Sequence, residues 1–283
     1  MQFKKCPPEK ALTKRLSSTR MNTFFTCPRR YQHVIEHHSG LLEETEAMQL
    51  GKFVHAIIEE IITTWDGMDW NEVDVRNHAA ETALHRVKAS DFFDKEREIM
   101  GMIEKFADWE MSWKLLSSQS IHAELVLECP RFYGIVESYD EDKRLAIDWK
   151  TGRFPKKPDE ELKLLRQGAV YFHLLWENDL PVHDFKFAFL KEGKIYPFEL
   201  NRIIEITGKD YDSVYQFVDE TIEIINFFTK NGTFMPVDEV GMMMTCFFCP
   251  FQPRCHLQAL DEGVFLEKMR MRSVETGWLM KSI

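Results

Sequence analysis

The sequence predicts a mixed α/β fold of element order αβββαβ, a mixed sheet flanked by helices, and three observations carry that expectation. Apolar residues recur at helical spacing through the amino-terminal part of the chain. From "AELVLE" onward the period changes to two, giving three short strand candidates in succession. A long amphipathic segment, "EELKLLRQGAVYFHLLWEN", then separates these strands from a hairpin, "FKFAFLKEGKIYPFEL".

Taken in order, Ser17 and Ser18 are helix-start residues, and Met21, Phe24 and Phe25 follow at helical spacing. Pro28 suits a first turn and breaks an interior one, so two short helices are expected to meet near Cys27. In "MQLGKFVHAIIEEIITTW", Leu50, Val54, Ile57, Ile58, Ile61 and Ile62 mark one face of an amphipathic helix. Residues 66–120 are helical by pattern, acidic, and rich in Trp and Met, and read as a helical insert. The strands "AELVLE", "FYGIVESY" and "RLAIDWK" are bounded by Cys129-Pro130 and by the charged turn "DEDK". The hairpin turns near Glu192-Gly193, and a last helix runs from about Asp210 to Lys230. The tail "TCFFCPFQPRC" follows neither period. This divides one compact unit into residues 1–65, the insert 66–120, a core 121–235 and a cysteine-bearing segment 236–283.

With 283 residues, 44% of them hydrophobic, the chain has material for a core and is not expected to be disordered. No stretch approaches a membrane span, and the start "MQFKKCPPEK" lacks the apolar middle of a signal peptide. An intracellular, cytoplasmic, soluble protein without a membrane partner is expected. The net charge of −10 argues against nucleic acid as a partner until its distribution is considered. Lys4, Lys5, Lys10, Lys14, Arg15, Arg20, Arg29 and Arg30 face only Glu9 and Glu36 in the first forty residues. An acidic surface with one basic stripe suits a protein that admits a polyanion at a single place; a merely solvated basic end is the other reading.

The stretch "LAIDWKTG" places Asp148 and Lys150 on one face of a strand and Ile147 and Trp149 on the other. If Glu141 to Arg144 form a four-residue turn, antiparallel register sets Glu137 opposite Asp148. Facing carboxylates destabilise a sheet unless a cation lies between them, and a hard divalent cation, Mg²⁺ or Mn²⁺, meets that need. Lys150 would stand beside it, and metal, carboxylates and ammonium together form a set suited to phosphodiester cleavage. From spacing alone a plain surface ion pair between Asp148 and Lys150 accounts for the motif equally well.

Cys246, Cys249 and Cys255 form a C-x2-C-x5-C cluster in a chain of six cysteines. Disulfides are disfavoured inside cells, so a metal is the leading account, with Cys27 the candidate fourth ligand. Zinc with four thiolates generally shows two C-x2-C pairs, although Cys255-His256 keeps a zinc site with a histidine ligand open. Cys6 and Cys129 read as free thiols. Phe247, Phe248 and Phe251 either stack on bases or pack around the metal.

Gly134-Ile135-Val136-Glu137, then Asp148-Trp149-Lys150-Thr151-Gly152, then Gln167-Gly168-Ala169-Val170-Tyr171 resembles, in that order, the RecB-type branch of the PD-(D/E)XK nucleases. "GKFVHAIIEE" supplies His55 in a G-x-x-x-H setting, and "CPRRY", Cys27 to Tyr31, matches a motif near the amino terminus of that group. The resemblance implies a metal held by His55, Glu137, Asp148 and the main-chain carbonyl of Trp149. Lys150 would be catalytic, and Gln167 and Tyr171 would reach a phosphate or steady the lysine. It also implies a [4Fe–4S] cluster on Cys27, Cys246, Cys249 and Cys255, as in the CRISPR-associated adaptation nucleases and the AddB subunit of helicase–nucleases, with Arg29, Arg30 and Tyr31 placed toward DNA. The implied function is an exonuclease acting on single-stranded or frayed DNA ends, within a nuclease or CRISPR adaptation complex. One departure from the group is Glu137, where Asp is usual. A DNA-end-binding or assembly subunit with a weakened site and a zinc-stabilised interaction module are the rival readings.

Overall fold

Five strands form one mixed sheet in sequential order: β1 (Ile121–Glu128), β2 (Tyr133–Asp140), β3 (Leu145–Lys150), β4 (Asp184–Phe189) and β5 (Lys194–Pro197). The structure is a computed structural model that describes residues 15–36, 44–65 and 71–231. The chain divides into two units, one of residues 1–15 with 44–199 and one of residues 16–43 with 200–283. The whole sheet belongs to the first.

β1, β2 and β3 form an antiparallel meander, whereas β3 and β4 are parallel. A parallel pair needs a crossover, and the helix α6 (Pro158–Glu177) supplies it, opening with Pro158 at its first position. β5 returns antiparallel to β4 through the expected turn at Glu192-Gly193. The turn Glu141–Arg144 has the four residues expected, and it pairs Asp140 with Leu145 and Ser138 with Ile147. The fully buried Asp140 carboxylate fixes it, accepting from Lys143 N (3.0 Å), Lys143 Nζ (2.5 Å) and Ser118 Oγ (3.0 Å).

Three long helices pack on one another beside this sheet. Thr45 caps α3 (Glu46–Thr64), and Asn71 caps α4 (Glu72–Lys88), each side-chain oxygen accepting a main-chain N–H three residues on. α5 (Glu96–Trp113) follows a single 3-10 turn. The apolar face read from the sequence of α3 is buried as expected. Ile57 and Ile61 of α3, Val75 and Ala79 of α4, and Ile103 and Phe106 of α5 share one core with Ile147 and Trp149 of β3. The helices within residues 66–120 are therefore part of the packing that supports the sheet.

α5 ends on a device that periodicity does not reveal. Lys114 adopts a left-handed conformation (φ 51°), and the buried Glu110 carboxylate accepts from Leu115 N (3.0 Å) and Leu116 N (2.8 Å). One side chain thus satisfies two main-chain donors at a buried helix end.

In the second unit, α1 (Ser18–Thr26) and α2 (Pro28–Glu36) meet at Cys27, as expected from Pro28. Phe24 packs edge-on against Tyr31 (5.3 Å between centroids) and Phe228 (5.6 Å). α7 (Leu200–Thr207) was not foreseen, because "FEL" reads as an extension of the hairpin, whereas β5 stops at Pro197. α8 (Val214–Asn231) starts a turn later than the sequence suggests. No helix among the described residues is long and apolar enough to cross a membrane. Lys4, Lys5, Lys10, Lys14, Cys6, Cys246, Cys249, Cys255, His256, Phe247, Phe248 and Phe251 lie outside the described residues.

Replacing Glu110 with Ala strands two buried N–H groups, each worth about 1–3 kcal/mol when left without an acceptor. Glu110→Ala is expected to lower the chemical-denaturation free energy by about 2–4 kcal/mol, and Glu110→Gln, which keeps one acceptor oxygen, by less. Equal loss in both variants would show that the carboxylate does not terminate α5 in this way.

Candidate active site

The β2–β3 ladder ends at Ser138–Ile147, one pair short of Glu137 and Asp148. There the Glu137 carboxylate replaces the missing rung, its Oε2 accepting the Trp149 N–H at 2.5 Å. Its Oε1 lies 2.9 Å from His55 Nδ1 on α3. α3 comes this close because of Gly51, one turn before His55, where an added Cβ would stand 3.0 Å from Thr151 Oγ1. The G-x-x-x-H spacing thus has a steric reason: the glycine lets the helix approach the end of β3 and the histidine uses that approach.

Asp148 is fully buried. Its Oδ2 accepts from Gln167 Nε2 at 2.7 Å, and its Oδ1 lies 2.6 Å from Lys150 Nζ. That ammonium is off-axis, so no donor meets Oδ1 with hydrogen-bond geometry. Lys150 Nζ instead donates to Gln167 Oε1 at 2.9 Å and lies over the Phe187 ring, 5.6 Å from its centroid. Gln167 Nε2 also donates to the Tyr171 hydroxyl at 3.1 Å, one helical turn along α6. β2 accommodates that tyrosine at Gly134, where a Cβ would meet Tyr171 Cε1 at 2.9 Å and Leu174 Cδ1 at 3.0 Å. Gln167 therefore links Asp148 and Lys150 of β3 to α6.

Electrostatics mark the cluster as short of positive charge. Burial and the nearby Asp148 charge raise the Glu137 pKa against the opposing effect of His55 and Lys150. Burial disfavours the charged form of His55, but its hydrogen bond to Glu137 and the charges of Glu137 and Asp148 prevail and raise its pKa. Both groups hold protons more tightly than they would in water, as expected where carboxylates outnumber cations in a low-dielectric pocket.

Reading the sequence missed Glu124. It stands in the middle of β1 in the left-handed region (φ 48°), an uncommon place for a residue other than glycine. Neighbouring pairs Ala123–Ser138 and Leu125–Val136 put it opposite Glu137. Burial first, then the Glu137 charge, raises its pKa. Extending the hairpin register from β2 to β1 was the signal that could have found it.

This donor set suits a hard divalent cation: two carboxylates and an imidazole, one buried carboxylate oxygen without a hydrogen bond, and a surplus of negative charge. Among the described residues no three His, Cys, Asp or Glu side chains form a metal cage by themselves. A Mg²⁺-type ion does not require one, since it is commonly held by one or two carboxylates with waters and substrate phosphates.

The remaining candidates lie in the second unit. Cys27 is buried, and its Sγ accepts from Arg30 N at 3.4 Å. Arg29 and Tyr31 are buried and Arg30 is half-buried. Burial pushes the Tyr31 hydroxyl up to about 12, against the opposing charge of Arg20. Cys129 is buried in the first unit, its thiol pKa raised by burial and its sulfur accepting from Phe132 N at 3.3 Å.

No curated protein matches the chain. The PD-(D/E)XK nuclease superfamily matches over residues 15–256, a span that holds His55, Glu124, Glu137, Asp148, Lys150, Gln167 and Tyr171. That match covers most of the sequence, and it coincides with an α/β core whose five-strand mixed sheet carries the acidic cluster at the parting of β2 and β3. The chain belongs to the PD-(D/E)XK nuclease superfamily.

Proposed function

We propose that this chain is a divalent-metal-dependent deoxyribonuclease of the RecB type, hydrolysing phosphodiester bonds of single-stranded or frayed DNA ends. The observation that carries the reading is the Asp148–Lys150–Gln167 triangle beside Glu137 and His55. Glu137, Asp148, His55 and the Trp149 carbonyl would hold Mg²⁺ or Mn²⁺, which when bound polarises the phosphoryl oxygen and acidifies a water. Lys150 supplies a positive charge and a proton donor for the attacking water or the phosphoryl oxygens. Gln167 holds that ammonium and Asp148 in one geometry, and Tyr171 orients Gln167 through its hydroxyl. The deciding experiment is cleavage of end-labelled single- and double-stranded DNA with Mn²⁺. Binding of DNA ends without cleavage would favour the rival reading of an end-binding or assembly subunit, which Glu137 in place of the usual aspartate supports.

The reading includes a [4Fe–4S] cluster on Cys27, Cys246, Cys249 and Cys255, supported by the C-x2-C-x5-C spacing and by the lone cysteine of "CPRRY". The cluster would tie the amino-terminal segment to the tail, with a structural role. Resemblance to the CRISPR-associated adaptation nucleases and AddB supports a role within a larger DNA-processing assembly.

Lys150→Ala is expected to cost on the order of a hundredfold or more in cleavage rate while leaving the unfolding midpoint and DNA affinity near those of the parent. A near-normal rate would remove Lys150 from the chemistry. For Glu137, Ala should abolish Mn²⁺-dependent cleavage and weaken metal binding measured by calorimetry, whereas Asp should retain activity. If Glu137→Ala stays active and Glu137→Asp is dead, the metal is held elsewhere.

Each single Cys→Ala change at Cys27, Cys246, Cys249 or Cys255 should give a pale protein low in iron and sulfide and reduced in stability, since structural metal sites contribute folding free energy directly. Cys6→Ala and Cys129→Ala should remain brown. Full iron content in Cys27→Ala would break the link between the chain ends, and a colourless parent containing zinc would overturn the cluster altogether.

A further inference from the structure

Lysines at the surface of the unit of residues 44–199 repeatedly meet carboxylates: exposed Lys52 with Glu44, half-buried Lys95 with Glu46, and exposed Lys191 with Glu98 and Lys194 with Glu192. Lys88 and Arg97 are exposed without an ion pair among the described residues, but singly, whereas the loop that leaves β3 gathers three such cations. Arg153, Lys156 and Lys157 are all exposed, all lie within seven residues of Lys150, and none forms an ion pair among the described residues, although the charge of Lys156 adds to that of Lys194 in lowering the Glu192 pKa.

The loop is held from beneath. Phe154 N donates to Glu192 Oε1 at 2.9 Å and Lys156 N donates to Glu160 Oε2 at 2.8 Å. The Phe154 ring packs against Phe189 (5.1 Å) and Tyr196 (5.9 Å), and Pro155 is buried. The adjoining acids Asp159, Glu160 and Glu161 occupy the first turn of α6, where the helix dipole favours negative charge. Glu160 is engaged by the loop backbone, and Glu161 accepts from the Tyr196 hydroxyl at 3.1 Å. The backbone is fastened while three cationic heads face outward.

A chain of net charge −10 repels a polyanion at long range, so binding DNA requires a local concentration of positive charge at the site itself. Cations without a carboxylate partner gain most from phosphate, because they break no ion pair on binding and release the counterions of the nucleic acid. A loop already fixed by Phe154 and Pro155 also loses little conformational freedom when it binds.

We propose that the loop after β3 is a phosphate track: Arg153, Lys156 and Lys157 contact the backbone phosphates flanking the scissile one, without reading sequence. This rests on the nuclease reading above. An acidic protein surface is the other occupant such a loop would suit, and the strand continuity with Lys150 favours the nucleic acid.

The test compares the full-length protein with its Arg153→Gln/Lys156→Gln/Lys157→Gln variant. Affinity for a labelled single-stranded oligonucleotide is measured by anisotropy over a range of salt, with metal chelated to prevent hydrolysis. The slope of log affinity against log salt, which is negative, is expected to become shallower by about 2, from roughly 0.7 for each phosphate of a single strand that is no longer neutralised. The KM for DNA with Mn²⁺ should rise by a larger factor than turnover falls, the unfolding midpoint should not move, and charge-preserving Arg153→Lys should keep the parent slope. A folded triple variant with the parent slope would overturn the track. So would a lowered turnover at unchanged slope, which would make the loop a support of the catalytic residues. If the parent binds DNA with this salt dependence but never cleaves it, the nuclease reading fails while the track stands. If the parent binds no DNA, the track fails and an acidic partner becomes the occupant to seek.

Discussion

Burial of the Trp149 indole determines which way β3 faces. The ring packs edge-on against Phe106 (5.1 Å), lies near Trp109 (6.2 Å) and Trp113 (6.1 Å), and donates to Ser138 Oγ at 2.9 Å. A buried tryptophan removes more apolar surface from water than almost any other residue, and its N–H here has a partner. Strand alternation then leaves Asp148 and Lys150 no choice but the opposite face, toward Gln167 of α6. A slip of one residue would take the indole out of that aromatic core and turn the ammonium into it, so the aromatic core protects the register of the site.

That arrangement places a fully buried carboxylate at Asp148, and desolvating such a charge costs several kcal/mol. Lys150 and Gln167 offset part of the cost, but one oxygen is left without a hydrogen bond, and the proton affinities of Glu137 and His55 rise together. An apolar pair would serve stability better. A site that keeps its carboxylates in this condition is disposed to bind a cation, which matches the chemistry of the superfamily.

Close backbone approach, more than side-chain reach, assembles the site. Gly51 admits α3 to the end of β3, and Gly134 gives β2 room for Tyr171. His55 and Gln167 are thereby brought to one pair of strands from two helices. Glu124 adds local strain in β1 at the same level, in keeping with the tendency of uncommon backbone conformations to collect at functional sites. Beyond β3 the chain passes directly from buried chemistry to exposed charge, with Phe154 and Pro155 as the fastening between them.

By itself the sequence determined three successive strands and the shared face of Asp148 and Lys150, and, granted a four-residue turn, the register that aims Glu137 at Asp148. Each follows from period two and turn length, which are local properties of the backbone. Periodicity also placed His55, Gln167 and Tyr171 on helices, but their roles came only through family likeness, since a helix histidine or glutamine carries no local mark of its partner. Only the tertiary structure decided that Gln167 bonds both Asp148 and Lys150, that Glu137 takes the Trp149 N–H, that Glu110 ends α5, and that Glu124 faces Glu137. It decided as well that Arg29 and Tyr31 are buried while Arg153, Lys156 and Lys157 stand exposed and form no ion pair among the described residues. Some of these outcomes, such as Gln167 meeting β3, depend on which elements meet in space, and others, such as Glu110 ending α5, on the side-chain geometry of a buried turn; neither leaves a period in the chain.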